Sequence, residues 1–171
     1  MSAPTLTTSR LTLRAHRESD FEDLYAMWAD PDVTRFIGGT PSSREDSWSR
    51  LLRYGGQWAI VGYGFWAVTR TGEDRLIGDV GVMKTQRAME PALTAPETGW
   101  CLAPAAHGQG LALEAMRAAL SWADGQIGPA TQCIIDPANA ASIRVAEKLG
   151  YRRTHQAHYH GAAIDVWGRG V

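Results

Sequence analysis

The feature that most constrains this chain lies in its middle. A β-forming run, Glu97–Leu102, stops at Ala103-Pro104; glycines follow at 108 and 110, then an Ala/Leu-rich stretch from Leu111 to Ala123, and then a second β-forming run, Thr131–Ile135. Strand, helix and strand in that order need a crossover connection, which makes a parallel pair. The flanking segments are of another kind. Tyr63–Thr69 and Leu76–Met83 close on the turn Thr71-Gly72-Glu73-Asp74, and the tail from Tyr151 to Trp167 folds back at His160-Gly161, so both read as hairpins. One crossover among antiparallel hairpins predicts an α/β fold with a mixed sheet.

The remaining elements follow from periodicity. Leu11 and Leu13 alternate with Thr12 and Arg14, the pattern of a half-buried strand. Phe21, Leu24, Tyr25 and Trp28 share one helical face behind a Ser19 and Glu22 capping box, and that helix is expected to end at Asp30-Pro31. Ser43 heads a second helix with Trp48, Leu51 and Leu52 on one stripe, stopped at Gly55-Gly56. Lys84 to Pro96 has two prolines and no period, so an irregular loop that helps line a site is expected there. Asn139 is placed to cap a last helix carrying Ile143, Ala146 and Leu149, with Gly150 closing it. The sum is about four helices and seven strands in a single domain spanning residues 1–171, a length suited to one ordinary core.

Charge narrows the partners. Seventeen basic and eighteen acidic residues leave a formal charge of −1, which gives no global attraction for nucleic acid or anionic lipid. No apolar run approaches the ~18 residues of a membrane span. The first ten residues lack a signal peptide's charged start and apolar middle, so a cytoplasmic location is the default expectation. Cys101 and Cys133 read as small buried hydrophobes rather than a bridge. On a strand His158 and His160 share a face that His155 does not, so no metal is expected. Trp28 and Trp66 read as core.

The passage His107-Gly108-Gln109-Gly110-Leu111-Ala112 carries the clearest chemistry. Free amides at a helix N-terminus, approached closely through glycine, suit a phosphate or pyrophosphate; the competing reading is a plain strand-to-helix turn. Leu113 stands where a dinucleotide fingerprint needs its third glycine, and no GxxxxGK[ST] occurs, which disfavours nicotinamide and nucleoside triphosphate.

Further along, Asn139-Ala140-Ala141-Ser142 runs into Ile143-Arg144-Val145-Ala146-Glu147-Lys148-Leu149-Gly150-Tyr151. Together with Arg10-Leu11-Thr12-Leu13-Arg14, Ser19-Asp20-Phe21, Trp28-Ala29-Asp30-Pro31, Gly64-Phe65-Trp66-Ala67-Val68, Leu76-Ile77-Gly78-Asp79-Val80-Gly81, Glu97-Thr98-Gly99-Trp100 and the glycine turn, this resembles the GNAT superfamily of acyl-CoA-dependent N-acyltransferases. Within it, the chain resembles the branch containing the ribosomal-protein alanine N-acetyltransferases. The resemblance implies a mostly antiparallel mixed sheet splayed between Glu97–Leu102 and Thr131–Ile135, with acetyl-CoA lodged in the gap. It implies backbone contacts to the donor's pyrophosphate from His107, Gly108, Gln109, Gly110, Leu111 and Ala112, pairing of the pantetheine arm near Leu102, and further donor contacts from Asn139 and Ser142.

The implied reaction is direct attack of an amine on the thioester carbonyl, which requires a deprotonated amine. Glu97 is the candidate base, with Asp79 as the alternative on the acceptor side. Ser142 is the candidate acid for the departing thiolate, or else a helix residue bonded back to the Asn139 cap; Ala146 stands where many superfamily members carry a tyrosine for this step. Tyr151 reads as core packing, and Phe36 as a lining residue of the acceptor pocket. The expected function is an N-acetyltransferase acting on a primary amine, with a protein or peptide N-terminal α-amine preferred. The alternatives are a small-molecule amine (amino acid, polyamine or aminoglycoside) and a non-catalytic acyl-CoA-binding sensor. A succinyl donor would want a cation near its acyl end, which the sequence does not place. A homodimer is the expected assembly.

Overall fold

The computed structural model describes residues 2–171. One mixed sheet of nine strands forms the frame: β1 (Leu6–Thr7), β2 (Leu11–Arg14), β3 (Phe65–Arg70), β4 (Leu76–Met83), β5 (Met89–Glu90), β6 (Glu97–Leu102), β7 (Thr131–Ile135), β8 (Arg152–Tyr159) and β9 (Ala162–Arg169). Their order across the sheet is β1-β2-β3-β4-β6-β7-β9-β8-β5. The β6–β7 pair is parallel and the rest are antiparallel, the crossover among hairpins that the sequence pattern requires. The count of seven strands is corrected to nine. The two additions are two-residue strands, too short to show a period: β1 pairs with β2, and β5 arises inside the connection expected to be irregular and pairs with β8.

Five α-helices flank the sheet: α1 (Phe21–Trp28), α2 (Pro31–Thr34), α3 (Arg44–Ile60), α4 (Leu111–Gln126) and α5 (Ala140–Lys148). The count of about four is corrected to five: the addition is the four-residue α2, which starts where a helix stop is expected. Two helix boundaries differ from expectation. The Ser19 and Glu22 capping box is replaced by a 3₁₀ turn, because the Asp20 carboxylate accepts from the Arg17 amide and is held by Arg14 at 2.7 and 2.8 Å. The second change is in α3, which runs through Gly55-Gly56 to Ile60. Its buried residues are Ser47, Leu51, Tyr54 and Trp58. Packing of that stripe outweighs the ~1 kcal/mol each glycine costs in a helix. Trp48 and Leu52 consequently lie outside the buried face, at 38% and 57% exposure.

The sheet separates two apolar layers. On one side α4 and α5 cover Trp66, Val68, Val80, Leu102 and Cys133, with Trp58, Trp66 and Trp122 in mutual edge contact at 4.7–5.3 Å. On the other, α1 and α3 cover Phe65, Ala67, Leu76 and Cys101 with Leu24, Trp28, Leu51 and Tyr54. The two cysteines are therefore free thiols in different layers. Among the described residues no helix is long and apolar enough to cross a membrane.

Candidate active site

The turn from β6 into α4 is built from backbone. Gly108 and Gly110 have φ of 72° and 74°, left-handed values that favour glycine, and Gly110 caps α4 with no side chain. The first amide of this segment to find a helical acceptor is that of Glu114, 3.1 Å from the Gly110 carbonyl. Among the described residues no acceptor takes the amides from Gly108 to Leu113. Unpaired donors at the positive end of a 16-residue helix make an anion cradle.

Side chains brace the cradle from behind. His107 Nε2 donates to the Leu102 carbonyl at 2.7 Å, tying the turn to the end of β6. The Gln109 side chain turns back, its Nε2 donating to the Ala105 carbonyl at 2.8 Å and its Oε1 accepting from Arg70 at 2.8 Å. Arg10 donates to the Gln109 carbonyl at 3.0 Å and pairs with Glu114 at 2.6 Å. Burial alone would raise the Glu114 carboxyl, but the Thr8 hydroxyl, Arg10 and the Ser9 hydroxyl hold it at about 2. Leu111 is buried beneath the turn and Ala112 half-buried beside it.

Beside the cradle runs the parallel seam of β6 and β7, which has one register position, Glu97 opposite Gln132. The Ala103 amide donates to the Ile77 carbonyl on β4 at 2.9 Å. By the alternation of an antiparallel ladder, the amides of Trp100 and Leu102 then turn toward β7. Tyr151 pins the paired end of the seam: it is 2% exposed, and its hydroxyl lies 2.9 Å from Thr98 Oγ1 on β6 and 2.6 Å from Thr131 Oγ1 on β7. It packs as expected and also bridges the strands. Asn139 Oδ1 accepts from the Ser142 amide at 3.1 Å and so caps α5. Among the described residues no partner takes the hydroxyl of half-buried Ser142. Ala146 is fully buried core.

Glu97 and Asp79 lie on the opposite layer, and each is held. Arg87 grips Glu97 bidentately, Nε to Oε2 at 2.6 Å and Nη2 to Oε1 at 2.7 Å, and Thr85 Oγ1 donates to Oε2 at 2.9 Å. Burial lowers the Arg87 pKa, and the hydrogen bonds and charge of Glu97 more than reverse that. Asp79, fully buried, accepts from His16 Nε2 at 2.7 Å and from Trp28 Nε1 at 3.0 Å. His16 rests against Tyr54 with 4.8 Å between ring centroids. Burial raises the Tyr54 and Cys101 pKa values strongly, and the Asp79 charge adds to the rise. Phe36 lies in the turn after α2, half-buried and outside both apolar clusters. His155 and His158 lie on β8 and His160 in the turn after it, at φ 50°. Among the described residues no three His, Cys, Asp or Glu side chains converge as a metal site. Sequence reasoning did not single out Arg87, His16 or Arg70: each acts across the fold on a partner 10 to 63 positions away.

Residues 10–152 match the family model of the acetyltransferase (GNAT) domain. The chain is 34% identical over 179 residues to the uncharacterized protein YkkB of Bacillus subtilis, covering 99% of this chain and 98% of YkkB. Among solved structures it is similar to a Bordetella pertussis protein assigned to the GnaT family of acetyltransferases, with a TM-score of 0.86 at 29% identity, over 98% of this chain and 100% of that one. The ribosomal-protein-S5-alanine acetyltransferase of Vibrio fischeri matches with a TM-score of 0.74 at 18% identity, over 97% and 96% of the two chains, a likeness of fold.

Proposed function

The chain belongs to the GNAT acetyltransferase family, and from that membership we propose that it transfers an acetyl group from acetyl-CoA to a primary amine, by direct attack with donor and acceptor bound together. The observation that carries this reading is the run of unpaired amides from Gly108 to Leu113 at the head of α4, beside a seam that pairs at one position. Those residues fit a pyrophosphate-bearing thioester: backbone donors supply what a chain of formal charge −1 does not. Bound acetyl-CoA supplies an electrophilic carbonyl and a thiolate leaving group.

This chain's residues do the rest. We assign the gap between β6 and β7 beyond Glu97 to the donor's arm, with amides of Trp100 and Leu102 available to it. One such amide meets the negative charge that develops on the carbonyl oxygen. Glu97 takes the amine's proton. Its Oε1 accepts one bond, from Arg87, and keeps a lone pair for the amine or an intervening water. Arg87 and Thr85 fix its orientation. Asp79 is fully buried against His16 and Trp28, and we assign it to shaping the acceptor side. Ser142, with its hydroxyl uncommitted, donates to the leaving sulfur, while Asn139 holds the start of α5. Phe36 stands as an acceptor-side residue. The proposed acceptor is an N-terminal α-amine.

Purified protein is tested by free-thiol release from acetyl-CoA with peptides bearing free or blocked α-amines. The reading expects release with free amines and none with blocked ones. Saturable acetyl-CoA binding with no release for any amine would instead fit a non-catalytic binding module.

A further inference from the structure

The layer that holds Glu97 also collects arginines. Arg50 and Arg53 lie one turn apart on α3, and Arg87 follows β4. The Arg50 guanidinium sits 3.4 Å above the Trp28 ring centroid, Arg53 lies 6.0 Å from that of Tyr54, and Arg87 lies 5.0 Å from that of Tyr159. Trp28 and Tyr54 are buried rings of one apolar cluster, and Trp28 bonds to Asp79 on the sheet. The aromatic rings and the cations above them therefore form one wall on this face of the sheet.

The carboxylates of this wall pair with groups other than Arg50 and Arg53. Glu97 is clasped by Arg87, and both oxygens of Asp79 go to His16 and Trp28. Among the described residues Arg50 and Arg53 form no salt bridge, and Arg50 Nε is buried without a hydrogen-bond partner. Desolvation, and then repulsion from Arg50 and Arg87, pull the Arg53 pKa below the usual guanidinium value. A buried donor left unpaired is costly, and guanidinium groups are matched best by a planar carboxylate. Such a wall also repels a polycation.

We propose that the acceptor amine carries a carboxylate, received by Arg50 and Arg53 while the amine faces Glu97. This rests on the acetyl-transfer reading and deepens it. It favours an amino acid or an acidic N-terminal peptide segment over polyamines and aminoglycosides. Arg50 is half-buried against Trp28, and Arg53 is exposed.

The test compares acceptors that differ in charge at one group: L-alanine against L-alanine amide, and Ala-Asp-Ala-Ala amide against Ala-Asn-Ala-Ala amide, with spermidine as the polycation. Thiol release from acetyl-CoA is expected to show kcat/KM about ten- to a hundredfold higher for the carboxylate member of a pair. The pair with the larger rates identifies an amino acid or a peptide as the source of the carboxylate. R53Q and R50Q are expected to remove most of that preference through KM, with acetyl-CoA affinity unchanged. Equal rates within both pairs, a preference for spermidine, or full discrimination in R53Q would overturn the proposal. So would a preference for succinyl-CoA with indifference to the acceptor's charge, which would put the carboxylate on the donor. Calorimetric titration of the same pairs against protein saturated with CoA reads the discrimination if turnover is absent, and equal binding overturns it. Failure of acetyl-CoA itself to bind would count against the acetyl-transfer reading instead.

Discussion

The two faces of this sheet present positive charge by different physics. At the head of α4 the donors are backbone amides, fixed by two left-handed glycines and a helix axis, and none of residues 108–113 carries a charged side chain of its own. On the α1 and α3 face the charge comes from Arg50, Arg53 and Arg87, which aromatic rings hold in place. The first arrangement is preorganised and insensitive to side-chain entropy; the second is adjustable and open to screening by salt. A group common to every turnover suits the first, and a group that sets selectivity suits the second.

Changes at each face should therefore separate. The largest effect is expected for Glu97→Gln. It should lower kcat by about a hundredfold or more, the scale of a lost general base, and leave acetyl-CoA affinity intact by calorimetry. Equal losses in donor binding would merge the two faces. Gly110→Val acts on the other side. Forcing a branched residue to φ 74° should weaken acetyl-CoA by about tenfold, with the acceptor KM at saturating donor unchanged. Ser142→Ala should cost no more than about tenfold in kcat, because a thiol of ordinary pKa near 8.5 leaves readily without help.

The smallest effect concerns the brace. Glu114 has its pKa lowered to about 2, so its stabilisation is present above the ordinary carboxylate range and is lost as pH falls toward that value. Glu114→Gln should destabilise the protein at neutral pH by roughly 1 kcal/mol and flatten the acid limb of thermal unfolding curves between pH 5 and pH 2. An unchanged acid limb would show that Arg10 and Glu114 do not tie β2 to the cradle.

The same contrast explains what the sequence disclosed. The cradle is local: strand, proline, two glycines and helix follow one another within Glu97–Ala123, and each leaves its own mark on composition. The crossover and the hairpins were legible for the same reason. The arginine wall is assembled by topology, since Arg50 and Trp28 meet across two helices and Arg87 meets Glu97 across a connection without period. Neither pairing has a spacing that could announce it. Gly55-Gly56 misled for the converse reason: a local helix-stop signal was overruled by burial of Tyr54 and Trp58 on either side. The two-residue strands β1 and β5 exist through their partners and have no pattern of their own.

The central claim is that backbone amides at the head of α4 hold the donor by its pyrophosphate. Calorimetric titration of the protein with acetyl-CoA and with acetylpantetheine, which keeps the thioester and lacks the pyrophosphate, tests it most directly. The account predicts saturable acetyl-CoA binding, acetylpantetheine weaker by about a hundredfold, and a smaller gap in Gly110→Val. Equal affinity for the two thioesters, or a gap that Gly110→Val leaves untouched, would contradict it.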